Sequence, residues 1–109
     1  MSVGYSQQGG QNYKTQEILM SPPEKCVEKV YDIAIGGCMA RESRKTGRAL
    51  ATLIDSLNFE KGGEMAVKLY SLYEYCLREV HQNQFEFTEK ILRELRDTWK
   101  QAVASHRAA

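Results

Sequence analysis

Two adjacent glycines, Gly62 and Gly63, lie between two segments in which apolar residues recur at every third or fourth position. The apolar positions before them are Leu50, Leu53, Ile54 and Leu57, and those after them are Met65, Leu69, Leu72, Cys76 and Val80. Glycine tolerates the positive backbone dihedral angles that end a helix, and Glu64 supplies a carboxylate where the dipole of a following helix favours one. The sequence therefore predicts two antiparallel helices joined by a tight turn at this glycine pair.

The same spacing predicts four helices and no strand in the chain of 109 residues. The expected ranges are 23–40, 45–57, 63–83 and 86–104. Apolar side chains cover roughly 200° of the first helix and roughly 160° of the third, whereas one packing face needs about 100°. A chain of this length forms one domain. The predicted fold class is all-α, a compact bundle with more apolar surface than its own core requires.

A second glycine pair, Gly36 and Gly37, falls inside the first predicted helix. Each glycine in a helix interior costs up to about 1 kcal/mol relative to alanine. Close packing of another helix would explain the pair if the helix continues to about Ala40. Alternatively, the helix ends near Ile35 and residues 36–46 form a long loop. We favour the continuous helix.

Composition excludes several classes of partner. Fifteen Lys and Arg residues against 14 Asp and Glu residues give a net charge of +1, and the two signs are interspersed. This balance predicts neither nucleic-acid binding nor an anionic-membrane surface. No apolar run approaches the roughly 18 residues that span a bilayer, so we expect no membrane insertion and a cytoplasmic location.

The N-terminal residues differ in composition from the rest. Residues 1–12 are rich in Ser, Gln and Gly, which predicts a flexible arm. From Tyr13 to Met20 apolar residues return, and Ser21, Pro22 and Pro23 then interrupt the chain. We therefore expect a flexible arm over residues 1–12 and a single helical-bundle domain over residues 13–109.

No pattern of catalytic or metal-binding residues is present. His81 and His106 stand alone, and the three cysteines, Cys26, Cys38 and Cys76, lack a paired metal-ligand spacing. We interpret the cysteines as small apolar residues. The Gly62-Gly63 pair lacks the spacing of a phosphate-binding loop. The sequence predicts a protein that is not an enzyme and has no cofactor and no metal site.

The remaining candidate for a functional surface is a band of aromatic and aliphatic residues on the third predicted helix. Its members are Leu69, Tyr70, Leu72, Tyr73, Tyr75 and Leu77. Such bands are common in bundle cores, so plain core packing is one interpretation. Tyrosine is also favoured on surfaces that are alternately wet and buried, so a docking groove is the other. The wide apolar arcs of the first and third helices support the groove.

Five segments, taken in order, resemble the family of the bacterial flagellar export chaperone FliS. They are YKTQEIL followed by PPEK between Tyr13 and Lys25, the Tyr31-Asp32 pair, SLNFEKGGEMA from Ser56 to Ala66, LYSLYEY from Leu69 to Tyr75, and LRELRDTW from Leu92 to Trp99. The resemblance implies an antiparallel up-down-up-down four-helix bundle with an N-terminal capping segment. The connections from Tyr31 to SLNFEKGGEMA and from Tyr75 to LRELRDTW are short for the family, which implies a shortened bundle and groove.

The resemblance also implies a function. FliS proteins bind the disordered C-terminal region of flagellin in an apolar groove, prevent its premature polymerisation in the cytosol and deliver it for export. The implied partners are flagellin and, for the client-loaded chaperone, the export gate component FlhA. The alternative is a diverged regulatory adaptor that binds another amphipathic helical partner.

The resemblance assigns candidate partner-binding residues in two groups. In the capping segment they are Tyr13, Ile18 and Leu19, and on the second and third helices they are Leu53, Ile54, Leu57, Tyr70, Tyr73 and Leu77. Some of the second group must instead belong to the core. We expect Trp99 to be a core residue, with Arg96 and Asp97 as its solvated border.

Overall fold

The structure is a computed structural model that describes residues 23–108. Four helices follow one another: α1 (Pro23–Met39), α2 (Ser43–Asp55), α3 (Phe59–His81) and α4 (Glu86–Ala108). No strand occurs within this range. The all-α four-helix prediction is confirmed. The predicted N-terminal arm and the candidate residues Tyr13, Ile18 and Leu19 lie outside the described residues.

The helices are arranged in chain order around a common core. Helix α1 packs against α2 and α4, α2 packs against α3, and the approach of α3 to α4 is the loosest of the four. Because short connections join consecutive helices, each helix runs antiparallel to the next. The result is an up-down-up-down bundle with one loosely closed side.

Each helix contributes fully or almost fully buried side chains to the core. The deeply buried apolar residues include Ala34, Ile35 and Cys38 of α1, Leu50 and Leu53 of α2, Cys76 and Val80 of α3, and Leu92 of α4. Complete burial of one leucine side chain contributes about 1.5–3 kcal/mol. As predicted from the sequence, Cys38 and Cys76 are buried, whereas Cys26 is only half-buried.

Helix α1 continues through the second glycine pair to Met39, which confirms the continuous helix that we favoured. The two glycines differ in their surroundings. A Cβ atom on Gly37 would clash with the side chain of Thr46 and lie 3.1 Å from its backbone nitrogen. A Cβ atom on Gly36 would meet nothing within 4 Å. The close packing of α2 therefore explains why a glycine occupies position 37. No contact among the described residues explains the glycine at position 36.

The predicted break at Gly62 and Gly63 is present, because Gly63 has non-helical backbone angles that separate two helical segments of α3, but the connection that follows α2 lies about one helical turn earlier. The connection lies at residues 56–58, and Asn58 starts α3 because its side-chain Oδ1 accepts a hydrogen bond from the backbone N–H of Lys61 at 2.9 Å. Gly63 does adopt a positive φ of 51°, but it does so inside α3. It separates the first turn of α3, residues 59–62, from the long remainder of the helix.

Two ion pairs link the beginning and the middle of α4 to distant parts of the chain. Arg41, in the connection between α1 and α2, contacts Glu86 at 2.8 Å. Arg96 contacts Asp32 of α1 at 3.0 Å and the adjacent Asp97 at 3.2 Å. Solvent screens both pairs, so they help to orient α4 but contribute little to stability.

Candidate partner-binding groove

An open apolar groove of about 350 Å³ lies where all four helices approach one end of the bundle. We call it the end groove. Its main apolar and aromatic lining residues are Val27, Tyr31, Leu57, Met65, Leu69 and Trp99. They come from the first half of α1, the segment after α2, the first half of α3 and the second half of α4. The sequence thus brings residues that are far apart in the chain to one apolar surface.

The kink at Gly63 shapes one wall of the end groove. Lys61 and Gly62, before the kink, line the groove together with Met65 and Ala66, after it. A Cβ atom on Gly62 would lie only 2.9 Å from the Cβ atom of Ala66, so a larger residue there would push the two segments apart. The glycine pair predicted as a turn therefore serves as part of the wall of the groove.

Two buried tyrosines form the floor of the end groove. The hydroxyl oxygens of Tyr31 and Tyr73 lie within hydrogen-bond distance, and either can donate. Burial is the main cause that raises the pKa of both phenols, so both stay neutral at physiological pH. The floor is therefore uncharged and internally satisfied. A partner segment that covers it needs to supply only apolar atoms.

The exposed walls of the end groove carry Met65 and Trp99. Met65 is 64% exposed, and its flexible thioether can adapt to different partner side chains. Trp99 is half-buried, packs against the core and also lines the groove, so the expectation of a pure core role for it was incomplete. Met65 and Trp99 were not predicted from the sequence as groove residues. Tryptophan is seldom completely buried, and that tendency was the available signal.

The structure separates the six candidates on α2 and α3. Leu57 lines the end groove and is half-buried. Tyr73 also borders it, but it is only 3% exposed and is held by Tyr31. Leu53 is 1% exposed and lies in the core, at a position of α2 that faces the bundle interior. The client-facing role predicted for Leu53 is therefore corrected to a core role, whereas Tyr73 belongs to the core and also to the floor of the groove.

The three other candidates lie elsewhere on the bundle. Ile54 is half-buried against the core. Leu77 borders a separate groove between α2 and α3, where it faces Gly47. Tyr70 is exposed and packs edge to face on Phe59, with ring centroids 6.1 Å apart. The six predicted residues do not form one continuous surface, and among them only Leu57 and Tyr73 border the end groove.

Within residues 23–108, a metal site would need a cluster of ligating side chains, and the two buried thiols are the candidate nucleophiles. No group of three or more His, Cys, Asp or Glu residues in this range lies close enough to hold a metal ion. Burial is the main cause that raises the pKa of Cys38 and of Cys76 to about 11, so both thiols are protonated at neutral pH. No helix in the described range is long and apolar enough to cross a membrane.

The family model of the flagellar protein FliS matches residues 37–106, which is more than half of the chain. The chain belongs to the FliS family. The match spans α2, α3 and nearly all of α4, and it begins close to the end of α1. FliS proteins are flagellar chaperones rather than enzymes, so membership implies a flagellar chaperone role. Comparison with curated proteins and with solved structures gives no match.

Proposed function

We propose that this protein is a cytosolic secretion chaperone that binds the C-terminal region of flagellin. The observation that carries the proposal is an open apolar groove, lined by Met65 and Trp99, in a member of the FliS family. An apolar surface that a small bundle leaves uncovered costs solubility, and shelter for another polypeptide is a common reason to keep it. Such shelter would hide flagellin surfaces that drive premature polymerisation.

The size of the end groove indicates how a client would bind. At about 350 Å³ it lies near the lower limit of ordinary ligand pockets, so it accepts a few side chains rather than a whole helix. The rest of an amphipathic client helix would lie across exposed aromatic residues such as Phe59 and Tyr70. Coupled folding and binding buries about 1,000–3,000 Å² and loses several kcal/mol to ordering. This balance allows both tight capture and later release.

The first residues of the chain would compete with the client in this proposal. Tyr13, Ile18 and Leu19 precede Val27, which lines the end groove, by a short stretch of sequence. A tethered apolar segment acts at a high effective concentration and would cover the groove until a client displaces it. The loaded chaperone would then deliver flagellin to the export gate, with FlhA as the receiving component.

Calorimetric titration with a synthetic flagellin C-terminal peptide tests the proposal. We expect a negative heat-capacity change and a gain of helicity, because apolar burial and tail folding coincide. Met65→Lys should weaken binding by about tenfold or more, since it places a charge at the groove wall. Val67→Lys makes the same kind of change at an exposed residue of α3 that does not line the end groove, and it should bind nearly normally.

Two results would contradict the proposal. One is the absence of binding at every temperature, and the other is an equal loss for the two lysine variants. If flagellin fails to bind while another amphipathic helix binds in a manner that depends on Met65, the regulatory adaptor becomes the better interpretation.

A further inference from the structure

Another groove, with a volume of about 760 Å³, runs between α1 and α2. We call it the side groove. Its apolar residues are Val30, Ile33 and Ala49, and its rim carries Arg44, Lys45 and Arg48. The side groove shares no lining residue with the end groove. It is therefore a separate surface, and the proposed binding of flagellin does not account for it.

The rim of the side groove is positively charged and largely unpaired. Lys45 approaches Glu42, the one carboxylate of the lining, at 3.9 Å. The side chains of Arg44 and Arg48 form no ion pair or hydrogen bond with another residue in the range 23–108. Two guanidinium groups are thus available to an anionic partner.

The position of these cations is unfavourable for the helix itself. Arg44 and Lys45 lie in the first turn of α2, which contains no acidic residue, and the side chain of Glu42 makes no capping hydrogen bond. Carboxylates are favoured in the first turn of a helix and cations in the last, so these cations oppose the helix dipole. Their placement does not help the bundle fold, but it does concentrate positive potential at the side groove.

Gly36 gives an independent reason to expect a close neighbour on this side of α1. It lies three residues after Ile33, so helical spacing places the two on adjoining parts of the same outer face. A Cβ atom there would meet nothing, whereas the neighbouring Gly37 is required by its contact with Thr46. Glycine weakens a helix interior and permits close approach of another backbone. No contact within the described residues requires glycine at position 36.

We propose that the side groove and the adjoining Gly36 dock an acidic amphipathic helix of a partner protein. The apolar face of that helix would cover Val30 and Ile33 and pass close to Gly36. Its carboxylates would pair with Arg44 and Arg48, for which guanidinium groups are well suited. Charge complementarity selects an acidic helix over a neutral or basic one.

Fluorescence anisotropy on the full chain tests this with a designed peptide of about 15 residues that presents leucines on one face and glutamates beside them. The matched peptide has lysine in place of each glutamate. We expect the acidic peptide to bind, to weaken as salt rises from about 0.05 to 0.3 M, and to shift backbone NMR signals around Ile33 and Ala49. The lysine peptide should bind at least about tenfold more weakly.

Charge-reversal variants separate local pairing from net charge. Arg44→Glu with Arg48→Glu should reduce affinity for the acidic peptide by about tenfold or more, and it should fold because it puts a carboxylate in the first turn of α2. The control, Lys68→Glu with Lys90→Glu, changes the net charge equally at exposed positions that line neither groove. Its affinity should stay within about twofold of the wild type.

Gly36→Gln should raise the melting temperature and yet weaken peptide binding by about fivefold or more, because the new side chain strengthens α1 but obstructs the partner. The proposal fails if the two peptides bind equally, if both charge variants lose the same affinity, or if Gly36→Gln leaves binding unchanged. It also fails if the shifted signals fall around Met65 and Trp99, or if light scattering shows that a second copy of the chain occupies the groove instead. None of these results depends on whether flagellin binds the end groove.

Discussion

The hydroxyl oxygens of Tyr31 and Tyr73 lie 2.6 Å apart and join α1 to α3 through the middle of the bundle. The two helices are opposite rather than neighbouring in the ring of four. Both side chains are buried, so neither hydroxyl can replace its partner with bulk water. This one hydrogen bond therefore holds the two halves of the floor of the end groove together and connects the floor to the core.

Removal of one hydroxyl should cost more than removal of both. Tyr73→Phe leaves the Tyr31 hydroxyl buried without its partner, and we expect the free energy of unfolding to fall by about 1–3 kcal/mol. The double variant Tyr31→Phe with Tyr73→Phe should recover much of that loss, because no polar group is stranded. Urea denaturation of the two single variants and the double variant measures the coupling. Strictly additive losses would show that the two hydroxyls act independently.

Neighbouring glycines of α1 should respond in opposite directions to the same substitution. Gly36→Ala fills open space, and we expect it to stabilise the protein by up to about 1 kcal/mol. Gly37→Ala places a methyl group against Thr46 and should destabilise it by about 1–3 kcal/mol. Thermal denaturation of both variants checks the prediction. A similar effect of the two substitutions would mean that α2 does not pack as closely as the structure shows.

Alkaline pH should destabilise the fold through its buried thiols. Burial raises the pKa of Cys38 and Cys76 from 9.0 to about 11 in the folded protein. The unfolded chain loses these protons first, so the contribution is fully present below about pH 9 and is lost as pH rises to about 11. The free energy of unfolding, measured by urea denaturation across this range, should fall with pH.

The double variant Cys38→Ala with Cys76→Ala supplies the control for the alkaline prediction. Its pH dependence between 9 and 11 should be shallower than that of the wild type. Some slope should remain, because burial also raises the pKa of Tyr31 and Tyr73. An identical slope in both proteins would contradict a role for the thiols.

Deletion of residues 1–20 tests the proposed cap. Because the core is built from residues of α1 to α4, we expect the truncated chain to keep its helical content and melt cooperatively. Stopped-flow association with the flagellin peptide should become faster, since no tethered segment has to leave the end groove. Extensive unfolding of the truncated protein, or an unchanged association rate, would reject the cap.

Helical periodicity predicted the four helices well because each buries one or more apolar faces at a spacing of three to four residues. It also predicted α1 correctly through Gly36 and Gly37, although the packing reason applies to Gly37 alone. We predicted the α2–α3 connection one turn too late. The start of α3 depends on a local hydrogen bond to the side chain of Asn58, and the spacing of apolar residues does not reveal such a bond. Weak local signals of this kind decide where helices begin.

The candidate site was harder to predict than the fold. Leu53 and Leu57 lie on the same apolar stripe of the sequence, yet the first is in the core and the second borders the end groove. What separates them is distance from the end of the bundle, which depends on how the other three helices pack. Trp99 likewise serves the core and the groove at once, and a periodic pattern in one helix cannot express that dual role.

The backbone break at Gly63 has a geometric consequence for the end groove. The single turn before it, residues 59–62, carries part of the entrance, whereas the long segment after it carries the residues that hold the scaffold together. Gly63 has the positive φ that glycine adopts without strain, so the first turn meets the long segment at an angle that a continuous helix could not provide. The direction of this part of the entrance is thus set by one backbone position rather than by side-chain packing.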